Sequence, residues 1–174
     1  MGVPVDRVMR SLAFVVMAGC AYTADLGVLQ RNPGDVTGGT IKMSTGVGLV
    51  PRDIVALNVD FRGDISSSEH ASGQEAGSRF AVGMSALGGV PVGPGKILGR
   101  VGFWHSGFSQ IDDRTIVPTF ELMGYAPLAD NYSQKHPEYG ASSAGVIFGV
   151  REDLDHTAYT TFFVGLAMFL LPGY

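Results

Sequence analysis

The chain is poor in charge, in cysteine and in tryptophan, and each shortage narrows what it can be. Charged residues fill 16% of its 174 positions, well under the roughly 25% of an ordinary water-soluble domain. A surface with so little charge suits water badly. Crossing a membrane as a helix takes about 20 consecutive apolar residues, and no run of that length is present. Twelve Lys and Arg stand against 16 Asp and Glu with no basic cluster. That balance excludes nucleic acid as a partner, because phosphate neutralisation needs grouped cations. Cys20 is the only cysteine, which leaves no intrachain disulfide and no thiolate metal centre. The segment Gly93-Pro94-Gly95-Lys96 lacks the glycine spacing and the following helix of a phosphate cradle. No cofactor is implied.

What the chain does have is glycine, 25 in all, a positive mean hydropathy of +0.21, and alternation. Val55, Leu57, Val59 and Phe61 interleave with Ala56, Asn58, Asp60 and Arg62, a period of two that makes a strand with one apolar face. The same pattern recurs over Tyr22–Gln30, Thr40–Val50, Phe80–Ala86, Ile97–Trp104, Ile116–Leu122 and Ala144–Arg151. His156–Leu171 is apolar on both faces. Pro51-Arg52, Val90–Gly95 and Arg151–Asp155 read as tight turns, and Ile65–Gly77 and Ala126–Tyr139 as longer polar loops. About eight strands in one domain, with no helical periodicity, predict an all-β antiparallel up-and-down barrel, since closure removes the sheet edges.

The first residues follow a different logic. Arg7 and Arg10 precede the apolar segment Ser11–Gly19, which ends in Ala18-Gly19-Cys20. This resembles a bacterial lipoprotein signal, with Met17-Ala18-Gly19-Cys20 in the place of the lipobox. The resemblance implies that residues 1–19 are removed and that Cys20 becomes the acylated first residue of a barrel domain at 20–174. Cleavage after Ala21, with Cys20 discarded, is the alternative.

Which face of the barrel looks inward decides its surroundings. The less apolar face is dominated by Gly, Ala and Ser, with Lys42, Asp60, Arg62, Arg100, Glu121 and Arg151 spaced along it. Small residues suit a narrow lumen, where those six charges would pair, Arg100 with Glu121 above all. The apolar face would then meet lipid. The other orientation is a periplasm-facing calyx for a small apolar ligand, with Val55, Leu57, Val59, Phe61, Phe80 and Phe103 turned inward. Leu166, Met168 and Leu170 alternate before the final Tyr174. This resembles the last strand of bacterial outer-membrane barrels, which their assembly machinery reads. At class level the domain resembles small barrels of the OmpA-transmembrane or OmpX type. That resemblance implies an outer-membrane protein, lipid-anchored, with a structural, adhesive or envelope-maintenance role and no catalysis.

Candidate chemistry is sparse. His105-Ser106, with Asp112, Asp113 and Glu121 downstream, resembles in residue type the His, Ser and Glu of lipid A deacylase barrels. The spacing differs, and strand parity sends His105 and Glu121 to opposite sides of the wall. His136-Pro137-Glu138 and the trio Asp153, Asp155 and His156 lack the spacing of a metal site and read as solvated turns. Trp104, Tyr125, Tyr132 and Tyr139 fall near strand ends, where an aromatic girdle would sit.

Overall fold

A computed structural model describes residues 19–31, 35–49, 54–70, 73–109, 116–132, 141–154 and 159–171. These form eight strands: β1 (Gly19–Arg31), β2 (Asp35–Leu49), β3 (Val55–His70), β4 (Gly73–Val92), β5 (Gly95–Ser109), β6 (Ile116–Tyr132), β7 (Ala141–Asp153) and β8 (Tyr159–Leu171). Each pairs antiparallel with its neighbour in sequence, and β1 pairs with β8. The result is a closed barrel with no free edge along its wall, which is how an isolated set of alternating strands satisfies its backbone.

Closure makes each strand's two-residue period into an inside and an outside. On β3 the inward positions are Ala56, Asn58, Asp60, Arg62 and Asp64, all buried, whereas Val55, Leu57, Val59 and Phe61 are exposed, Leu57 by 68%. The apolar face therefore points out. Phe80 and Phe103 are exposed as well, at 51% and 47%, so the calyx orientation, which needed all six of these apolar residues inside, is overturned. The reason is volume. A narrow barrel fills its interior with side chains, and on this stretch of wall the long Arg62 and its charged neighbours Asp60 and Asp64 take the inner positions, which leaves Val55, Leu57, Val59 and Phe61 outside.

β4 and β5 are joined by the two-residue turn Gly93-Pro94. Gly93 has φ +59°, a left-handed value that a residue with a Cβ adopts only at a cost. The opposite end of that hairpin departs from expectation. Most of the span 65–77, expected as a loop, continues β3 and β4, with Ser66 to His70 paired in register against Gly77 to Gly73. β6 likewise runs through Ala126 to Tyr132 past a bulge between Pro127 and Ala129. Polar composition does not by itself end a strand, because the backbone ladder pairs N–H with C=O whatever the side chains.

Candidate functional site: the charged lumen

The β3–β4 register is a ladder along the inner wall. From the end of the barrel that holds the start of β1 it reads Ala56 opposite Leu87, Asn58 opposite Ser85, Asp60 opposite Gly83, Arg62 opposite Ala81, and Asp64 opposite Arg79. The interior thus passes from apolar to polar to charged within one strand length. At the terminal end a cluster that includes Ile54, Leu87, Leu98, Met123, Ile147 and Phe169 forms a floor. Tyr125 and Phe169 meet edge to face in it, 5.3 Å between ring centres. The Tyr125 hydroxyl shares a hydrogen bond with Ser143, so the floor's one phenol is satisfied where it is buried.

Above the floor lies a cluster built on Glu121, which is fully buried. Lys42 donates to its Oε1, Arg151 Nε donates to the same oxygen at 2.7 Å, and Arg100 Nη1 donates to Oε2 at 3.1 Å. Arg151 Nη2 also grips Asp25, at 2.8 and 3.0 Å from its two oxygens. Arg100 reaches Ser44 and Thr23 with its remaining terminal donors. Asp60 Oδ1 stands 4.0 Å from Lys42 and 3.9 Å from Arg100, close enough for charge balance but outside direct hydrogen bonding.

A second cluster lies toward the other end and closes into a ring. Arg62 donates to Asp64 at 2.8 Å and to Asp153 at 2.6 Å, and Arg79 Nη2 donates to Asp64 at 2.6 Å and to Asp153 at 2.9 Å. Trp104 separates the two clusters, with Lys42 Nζ 5.3 Å and the Arg62 guanidinium carbon 5.7 Å from its ring centre. Among the described residues the buried charges are Asp25, Lys42, Asp60, Arg62, Asp64, Arg79, Arg100, Glu121, Arg151 and Asp153. Five are cations and five are anions, so the lumen sums to zero. Such balance is what the low-dielectric interior demands, because an isolated buried ion is costly by several kcal/mol.

All six charges expected on this face, Lys42, Asp60, Arg62, Arg100, Glu121 and Arg151, are buried inside the barrel. Arg100 and Glu121 are direct register partners on β5 and β6. Sequence reasoning missed Asp25, Asp64, Arg79 and Asp153. The signal was available: Asp64 lies two residues beyond Arg62 on one strand, and Asp25 alternates with Ala24 and Leu26. The turn signal over Arg151–Asp155 predicts a solvated Asp153, but it is inside, held by Arg62 and Arg79. Two aromatics assigned to a girdle, Trp104 and Tyr125, are also interior, each 3% exposed. Their positions share parity with Arg100 and Met123, and parity outranks nearness to a strand end. The side chain of Tyr132 and the whole of Tyr139 lie outside the described residues, as do His136-Pro137-Glu138, Asp112, Asp113, Asp155 and His156.

On the outer wall His105 is exposed while Glu121 is buried in the lumen, so the wall separates them and they cannot act as one unit. Glu152 also faces outward, near the end of β7 remote from the chain termini, where it accepts a hydrogen bond from Thr160 at 2.8 Å. Below that pair the outward residues of β8 are Phe162, Val164, Leu166 and Met168, all exposed. Cys20 sits in β1 at the terminal end, half-buried, one step from Tyr22 on the outer face and paired with Val47 and Leu170. Residues 1–18 are outside the described residues. Among the described residues no group of His, Cys, Asp or Glu is arranged to hold a metal ion. Comparison with protein-family models, with curated proteins and with solved structures found no match to this chain.

Proposed function

We propose that the protein is a small outer-membrane β-barrel, anchored by acylation of Cys20, with a structural, adhesive or envelope-maintenance role and no catalysis. The observation that carries this reading is the inverted surface. Exposed large apolar side chains cover the outer wall on every strand described, from Leu26 on β1 and Ile41 on β2 to Leu166 on β8. Charge is concentrated in the lumen. A contiguous apolar surface of that extent is a liability in water and an asset in a bilayer, where closed barrels satisfy every backbone group. The strands, 13 to 20 residues long, exceed the roughly 9–11 residues that a tilted crossing takes.

Topology supports the anchor. With an even number of strands both termini lie at one end, so an acyl group on Cys20 would enter the same leaflet that the floor faces. Cys20 is on the outer side of its strand, beside Tyr22, an aromatic suited to the membrane interface. Membrane lipid and the outer-membrane assembly machinery are the partners this reading names. The apolar floor argues for a packed core and against a conduit.

Fractionation and mass spectrometry test the reading. The protein is expected in the outer-membrane fraction, extracted only by detergent, with an N-terminal peptide that begins at an acylated Cys20. A barrel freed of acyl groups that remains monomeric in detergent-free buffer would refute the membrane assignment. A free amine at Tyr22 would remove the anchor and leave the barrel. Val59→Arg, placed on the outer wall, is expected to cost about 2–4 kcal/mol if Val59 lies near the bilayer midplane, measured as the shift in unfolding free energy in lipid vesicles.

A further inference from the structure

Between the apolar floor and the Glu121 cluster lies a patch of wall whose polar atoms are left over by both. Asn58 and Ser85 are register partners with side chains directed inward, 2% and 6% exposed. Neither the Asn58 Oδ1, nor its Nδ2, nor the Ser85 hydroxyl has a hydrogen-bonding partner in the protein. One ladder step above, Asp60 Oδ1 is also unpartnered, and so is the Nε of Arg100, although that guanidinium's terminal nitrogens are engaged. The five polar atoms lie on three adjacent strands, and the register partners of Asn58, Asp60 and Ser85, namely Gly46, Gly83 and Gly102, have no side chain that could hydrogen-bond to them. Close packing of the wall excludes one there. A Cβ on Gly46 would come 2.0 Å from Asn58 Oδ1, and one on Gly102 would come 2.7 Å from the Ser85 Cβ.

Buried amides, hydroxyls and carboxylates in folded proteins almost always find partners, and leaving one unmet costs as much as an ordinary hydrogen bond contributes, or more. Donors and acceptors are both present here: Nδ2 and Nε donate, Oδ1 of Asn58 and of Asp60 accept, and the hydroxyl does either. That mixture decides the ligand. A metal cation would use the oxygens alone, would be repelled by Lys42 and Arg100 at about 4 Å from Asp60, and would unbalance a lumen whose charges already sum to zero. Water uses donors and acceptors together and carries no charge.

We propose that Asn58, Asp60, Ser85 and the Nε of Arg100 form an internal hydration site that holds a small cluster of long-lived water molecules. The cluster completes the hydrogen bonding of the polar layer and ends the charged network against the floor. This inference concerns the lumen alone and stands whether or not the outer wall meets lipid.

The test is NMR on the mature barrel, in the medium that keeps it folded. Cross-relaxation with slowly exchanging water is expected at the Asn58 side-chain amide and the Arg100 Nε proton. It should persist at the Asn58 amide in Ser85→Ala, which removes the facing hydroxyl as its source, and at Arg100 Nε in Thr23→Val with Ser44→Ala, which removes the two hydroxyls on that guanidinium, and be the same in sodium and in choline buffers. Absence of water contacts at these protons, with the Arg151 Nε proton resolved as a dry control, would overturn the proposal. A chemical-shift change that saturates with sodium would replace water by a cation. Asn58→Leu, equal in shape but without hydrogen bonds, supplies a second readout. Its unfolding midpoint falls if water links Asn58 to its neighbours and rises if the amide is simply dry.

Discussion

The two ends of the barrel interior are filled by opposite means. Near the chain termini Ile54, Leu87, Leu98, Met123, Ile147 and Phe169 pack without directional demands. One inward step beyond Leu98 and Met123, Lys42, Arg100 and Arg151 converge on one carboxylate, and beyond them Arg62 and Arg79 close a ring with Asp64 and Asp153. Dispersion and burial hold the floor, and such a core tolerates change in proportion to the volume lost. The charged half is held by mutual neutralisation, and it tolerates loss of one member badly because the remaining charges are buried away from bulk solvent. A floor of apolar side chains needs only shape. A lumen of ions needs every partner in place.

Glu121→Gln should break that contrast most severely. It removes the charge on which three cations converge, and unfolding measurements are expected to show a loss of about 3–5 kcal/mol. A loss under about 1 kcal/mol would mean that the cluster is hydrated and screened and that the two halves do not differ in kind. Leu98→Ala probes the other half. The floor should lose about 2–5 kcal/mol, set by how far its neighbours collapse, and the loss should be insensitive to salt.

A double-mutant cycle sharpens the comparison further. Arg100→Met combined with Glu121→Gln should show a coupling of about 0.5–3 kcal/mol, as groups in one network do, whereas Leu98→Ala combined with Glu121→Gln should come closer to additive. Purely additive behaviour for Arg100 and Glu121 would contradict their 3.1 Å contact. The smallest effect is expected outside the lumen. Gly93→Ala forces a Cβ into a left-handed turn and should cost about 1–2 kcal/mol, read as a modest fall in the unfolding midpoint with both interior halves intact.

Much of the fold was legible because strand alternation is a local property. Once Val55, Leu57, Val59 and Phe61 share a face, Asn58, Asp60 and Arg62 must share the other, and no tertiary information is needed to say so. The same logic makes Arg100 and Glu121 candidates for pairing, since they lie on consecutive antiparallel strands. Arg79 and Asp64 are hard to read from sequence because the stretch between them is polar and suggests a loop, although its backbone continues as strand. For Trp104 and Tyr125, nearness to a strand end suggests a girdle, whereas parity with Arg100 and Met123 puts both rings inside.

By itself the sequence determined a barrel of about eight strands, the two faces of its clearly alternating strands and six of the charges that share the inner one, because these depend on a two-residue period and on chain order. Only the tertiary structure decided which face is interior, which cation meets which anion, and that the apolar and charged interiors occupy opposite ends. Contacts such as Arg151 with Asp25, separated by 126 positions, exist only once β8 closes on β1 and fixes the stagger of all eight strands. That stagger is a property of the closed ring, and no single strand contains it.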